Sequence, residues 1–254
     1  MTFALESFLF IFARISGLFV TAPIYSSRQV PMRVKIFVIL IISACLTYAI
    51  PLTIPADTGS VSIVLVALGM EIMVGCTIGF VAFMVFAGIQ LAGQVMDMQM
   101  GFGIVNVVDP LSGTQIPLMG NFSQTYALLL YLAVDGHHYL LQALADSYIA
   151  VPILGLSFSG SFMTELMRVS VYMFVIAVKI ASPLVFAVFT TDIAMGFIGR
   201  TVPQMNVFIV GLPLRILVGF ACLFIMLPIY YWVFQMVFAT LFGHLDAIIA
   251  AMGM

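Results

Sequence analysis

Apolar residues run almost unbroken through long stretches of the chain, and polar positions gather in short patches between them. Six apolar blocks emerge: about 3 to 25, 34 to 55, 61 to 96, 116 to 153 (broken at DGHH), 166 to 191 and 206 to 242. Four stretches carry no charge at all: Ile36 to Ile54, Ile72 to Met96, Ser147 to Thr164 and Ile216 to Phe234. Each is near the ~20 apolar residues that cross a bilayer as a helix. An outer-membrane barrel would instead alternate apolar and polar positions in segments of about ten residues. The pattern predicts an all-α membrane protein of about six long, kinked helical blocks forming hairpins, in a single domain over residues 1–254.

Two blocks do not fit simple spans. The third, 61 to 96, would be about 54 Å long as one helix at 1.5 Å per residue, against a hydrocarbon core of about 30 Å. The last is as long and contains Pro213 and Pro228, each of which removes a backbone donor and predicts a kink. Between the third and fourth blocks lies GFGIVNVVDPLSGTQIP, where Gly101, Gly103, Pro110, Gly113 and Pro117 oppose a regular helix. A non-helical loop is expected near 101–117. Such backbone survives at membrane depth only where protein or water shields it, which marks this loop as the leading functional element.

Composition agrees with the pattern. Hydrophobic residues make up 64% of the chain and charged ones only 7%, where soluble domains carry about 25% charged residues; mean hydropathy is +1.25. The net charge is -2, and eight scattered basic residues form no stripe that could follow a nucleic-acid backbone, so nucleic acid is excluded as a partner. Cys45, Cys76 and Cys222 lie far apart inside apolar runs and read as small buried residues. The start places Glu6 before the first cation, Arg14, unlike the basic opening of a signal peptide; it reads as a retained first membrane segment. The basic cluster Arg28, Arg33 and Lys35 puts the first connection in the cytoplasm and the N-terminus outside. PLTIPADTGS, with Asp57, reads as a turn on the opposite side.

Candidate chemistry is sparse. His137 and His138 sit between Asp135 and Asp146, but no H-x-x-x-H or H-E-x-x-H spacing occurs. A helix-start turn capped by Asp135 or Gly136 explains them. No G-x-S-x-G is present for a serine hydrolase. Arg14, Glu71 and Lys179, with Asp97 and Asp192, are charges inside apolar blocks; each is a functional-site candidate, or a member of an interhelical or intersubunit pair. Met96, Met98 and Met100 alternate. They share a face only in extended chain, as a soft gasket or copper(I) path, and scatter on a helix, where they are ordinary packing. Gly75, Gly79, Gly88 and Gly93 permit close helix packing, including against other chains.

Four motifs stand in order: TAPIYSSRQVPMRVK, QLAGQVMDMQMGFG followed by VDP, DGHHYLLQAL, and GRTVPQMNVFIVGLPL. Together they resemble the FliR family, the flagellar member of the type III secretion export-gate proteins, over nearly the whole chain. The resemblance implies a subunit that assembles in the bacterial inner membrane, at the flagellar basal body, with several copies of FliP-like and FliQ-like subunits and contacts an FlhB-like switch. That assembly gates unfolded flagellar export substrates. It also implies helices wound into a cone partly lifted from the bilayer. A plug loop in the pore falls on Met98, Met100, Phe102, Ile104, Val107, Asp109 and Pro110, less bulky than in members with phenylalanine at the places of Ile104 and Val107. Arg200, Pro203 and Gln204 match an RxxPQ turn that docks on partner subunits. No enzyme activity and no cofactor are implied. The alternative, a stand-alone secondary transporter with broken helices, predicts an internal inverted repeat, and six unequal blocks do not pair into one.

Overall fold

The computed structural model describes residues 2–27, 29–50, 61–103, 117–202, 204 and 206–253. Among them the chain forms seven helices and no strand: α1 (Thr2–Thr21), α2 (Met32–Ala49), α3 (Val61–Met100), α4 (Leu118–Ala133), α5 (Gly136–Ala150), α6 (Gly160–Thr201) and α7 (Val207–Met252). The fold is all-α, as the apolar blocks predict. The fourth block divides at DGHH into α4 and α5. Helices α2, α3, α6 and α7 are each long and apolar enough to cross a membrane.

The long helices outrun their blocks. α6 has 42 residues and α7 has 46, whereas the blocks ended where Asp192, His244 and Asp246 interrupt the apolar run. Backbone hydrogen bonding continues regardless of side-chain charge; it stops where the backbone itself must change. Pro183 in α6 and Pro213 and Pro228 in α7 lie inside continuous helix.

The termination of α3 is such a change. Gly101 takes φ 88°, its N–H bonds the Met98 carbonyl at 3.2 Å, and the Phe102 N–H reaches back to the Asp97 carbonyl at 3.1 Å. This paired arrangement caps helices at a left-handed residue, where glycine carries no Cβ penalty.

The chain groups into two compact units. The first comprises Met1–Val85, Tyr131–Ser170 and Phe238–Met254. Its core gathers Phe10, Ile11, Ile15 and Leu18 of α1, Val74, Ile78 and Val81 of α3, and Leu241, Leu245 and Ile248 of α7. α2 packs on α1, burying only Ile39 and Ser43. The second unit comprises Phe86–Leu130 and Val171–Val237. There Tyr126 donates to the Leu227 carbonyl at 3.3 Å and Tyr230 to the Ile180 carbonyl at 3.0 Å, satisfying hydroxyls that apolar surroundings would otherwise penalise.

Candidate functional site

In the first unit, α1 and α3 approach so closely that side chains are excluded. A Cβ on Gly17 would fall on the backbone at Ile72 and Cys76, one on Gly75 on the Arg14 and Leu18 backbone, and one on Gly79 on Thr21 and Ala22. The Thr21 hydroxyl adds a bond to the Cys76 carbonyl at 3.1 Å. Small residues on both helices make this crossing. The faces of Gly75 and Gly79, expected to pack on neighbours, are taken up by α1 of the same chain.

That crossing brings two charges together. Arg14 donates through Nε to Glu71 Oε2 at 2.6 Å and through Nη2 to Glu71 Oε1 at 3.0 Å, a bidentate fork. The same guanidinium donates to Ser147 Oγ and to the Val151 carbonyl, both at 2.9 Å, and lies 4.0 Å over the Tyr148 ring. Both charged residues are buried, Arg14 at 0% and Glu71 at 1% exposure. Val151 is the C-cap of α5, so the cation also meets the negative end of that helix. Arg14 and Glu71, two of the charges expected inside the membrane, are thus one site, joining α1, α3 and α5.

In the second unit Asp97 performs a similar task. Its carboxylate accepts the Met119 N–H at 3.0 and 3.1 Å and the Gly120 N–H at 3.2 Å. These are orphan donors of the first turn of α4, and Pro117, at the N-cap place, has no side-chain acceptor to offer. Gly93 allows the approach: a Cβ there would collide with the Met119 and Gly120 backbone. Asp192 is likewise paired, with Arg215 Nε at 2.6 Å. Lys179 is exposed.

The expected plug divides. Met98 and Met100 are still helical, so the loop begins at Gly101 rather than Met98. Met100 is buried, its side chain packed at Gly219 of α7, whereas Met98 is 74% exposed. Met96 is buried with Met100, as a four-residue spacing on a helix dictates; the shared face of an extended chain does not form. Phe102 stands edge-on to Phe220, ring centroids 6.3 Å apart. Ile104, Val107, Asp109 and Pro110 lie outside the described residues. Arg200 belongs to the last turn of α6, Gln204 follows as an exposed turn residue, and Pro203 lies outside the described residues.

The DGHH junction is a helix entry with an unexpected cap. Asp135 occupies the N-cap place at φ 56°, yet its side chain makes no cap bond. Its backbone carbonyl accepts from His138 and Tyr139, and its carboxylate sits 3.3 Å from His138 Nδ1. Gly136 is required there because a Cβ would strike the Tyr131 ring.

Sequence reasoning missed Ser147, Tyr148, Gly17 and Arg215. Gly17, one turn after Arg14, and Arg215, a charge inside the last apolar block, were the available signals.

The model of the family "Bacterial export proteins, family 1" matches residues 5–241. The flagellar biosynthetic protein FliR of Bacillus subtilis (strain 168) is 37% identical over 97% of this chain and 96% of its own length. The FliR protein of Escherichia coli (strain K12) is 31% identical, covering 93% and 90%, and that of Aquifex aeolicus (strain VF5) 27%, covering 89% and 86%. With its long apolar helices and a family match over nearly its full length, the chain belongs to the bacterial export proteins, family 1.

Proposed function

We propose that the chain is a non-enzymatic export-gate subunit of the flagellar type III secretion apparatus, seated in the bacterial inner membrane. With FliP-like and FliQ-like subunits and an FlhB-like switch it forms the channel through which unfolded flagellar proteins pass. The observation that carries this reading is the near-full-length similarity to proteins named for flagellar biosynthesis. The exposed apolar surface of α2, α6 and α7 supports it, since a chain with so few buried faces needs lipid and other subunits around it.

The segment from Phe102 through Ile104, Val107, Asp109 and Pro110 is the resting plug in this reading. A narrow apolar constriction dewets and resists ions, yet parts for an unfolded chain. No bond is made or broken, so no catalytic residue or cofactor takes part.

The native mass of the tagged chain in mild detergent, expressed with and without its FliP-like and FliQ-like neighbours, tests the assembly. A stable heteromer that forms only with the neighbours is expected; a monomer indifferent to them would overturn the proposal. The plug is tested in the assembled complex by the double change Ile104→Gly and Val107→Gly, which should raise membrane ion conductance. Conductance unchanged from the unmodified complex would remove the plug role.

A further inference from the structure

Within the second unit, α3 and α6 frame an apolar groove of about 630 Å³ lined by Leu91, Val95, Phe174, Val178, Phe186 and Phe189, among others. It has room for several large side chains. The exposed apolar residues Phe174, Val178, Phe186 and Phe189 of that lining continue past the groove along α6 as one stripe with Val171, Ile193 and Phe197. Their spacing of three, four or eight residues keeps them on one side of the helix.

Lys179 belongs to this surface. It is exposed, shares a stripe with Ser182 and Phe186, three and seven residues on, and both of these line the groove. Among the described residues no carboxylate pairs with it, whereas the two acids of α6 are taken: Glu165 binds Arg168 of the same helix at 2.6 Å and Asp192 binds Arg215 of α7 at 2.6 Å.

Lipid alone does not suit this face. The stripe from Val171 to Phe197 is about 39 Å long at 1.5 Å per residue, so a hydrocarbon core of about 30 Å covers all of it only at the extreme tilt of about 40°. Lys179 lies about 12 Å inside its nearer end, which is about 8 Å inside the hydrocarbon when a core of about 30 Å is centred on the stripe, near the full reach of a lysine stem. An unpaired ammonium in that position is expensive unless a counter-charge covers it.

We infer that this groove and Lys179 form a docking site for an apolar helix of a partner subunit that carries an Asp or Glu, the carboxylate meeting Lys179 and large apolar side chains filling the groove. This rests on the export-gate reading and adds to it the face used and the chemistry of what it takes.

The test uses the full heteromer with the native mass as a check. A photo-crosslinking residue is placed at Ser182, the crosslinked peptide is identified by mass spectrometry, and Lys179→Glu and Lys179→Arg are compared for the fraction assembled. The expected result is a crosslink to an apolar partner segment with an acidic residue within two turns. Lys179→Glu should lower assembly about tenfold or more and Lys179→Arg by less than about twofold. Crosslinks only to lipid, or equal assembly of both variants, in a heteromer that otherwise forms would overturn this inference and leave the gate reading standing. Failure of the unmodified chain to form a heteromer would overturn both.

Discussion

Arg14 is an expensive residue to bury, and its surroundings show how the cost is met. Four donor bonds, to Glu71 twice, to Ser147 and to Val151, together with the Tyr148 ring, replace its water. Removing one partner leaves an uncompensated charge in an apolar interior, which costs about 3–5 kcal/mol, while replacing both by apolar side chains of similar size costs far less. Arg14→Met and Glu71→Met should each lower the heat-unfolding midpoint in mild detergent by about 10 °C, and the double variant should recover much of that loss. A double variant as unstable as the sum of the singles would show that the two groups act independently. Both charges stood out in the sequence as costly, but their pairing did not, because 57 positions separate them. Only the crossing of α1 and α3, made through Gly17 and Gly75, joins them.

Helices α1 and α3 are positioned by close backbone contact at their glycines as well as by side-chain packing. Gly75 sits against Arg14 and Leu18, so any side chain must push α1 away, whereas a Cβ on Gly69 of the same helix meets nothing within 4 Å. Gly75→Leu should therefore cost more than about 3 kcal/mol of stability, the upper range for overpacking, and also disturb the Arg14–Glu71 fork. Gly69→Ala should be neutral or stabilise by up to about 1 kcal/mol through helix propensity. Thermal midpoints of the two variants decide the matter, and equal losses would mean that the crossing is loose. The end of α3 was legible in part: Gly101 marks the break in the sequence, and the helix does end there in a left-handed glycine. The start was less so for α4, because its cap is borrowed. Asp97, on another helix 22 residues upstream, binds the Met119 N–H, and cap signatures in sequence are local. The same locality misled at Asp135, which takes the N-cap place but turns its carboxylate toward His138.

At the scale of the whole molecule, helix length and bilayer thickness disagree. α3, with 40 residues, α6, with 42, and α7, with 46, are about 60, 63 and 69 Å long at 1.5 Å per residue. A hydrocarbon core of about 30 Å covers about 20 residues of an upright helix, and a tilt of up to 40° adds only several more. The sequence showed the excess in the third and last blocks. It understated α6, because Asp192 ends the apolar run there without ending the helix. On α7, the exposed residues Ile209, Leu217, Phe224, Ile225, Trp232 and Met236 extend over 27 residue steps, about 40 Å. If the gate assembly covers part of this face, lipid touches only a fraction of it. Single spin labels at these positions, read with a lipid-soluble and a water-soluble quencher in the assembled complex, should show lipid access over no more than about 20 consecutive residues. The remainder should be shielded from both quenchers by neighbouring subunits. Labels on the chain expressed alone should lose that double shielding. Lipid access along the whole face in both samples would mean that α7 lies slanted in the bilayer with no partner upon it, and the helix length would then need no assembly to explain it.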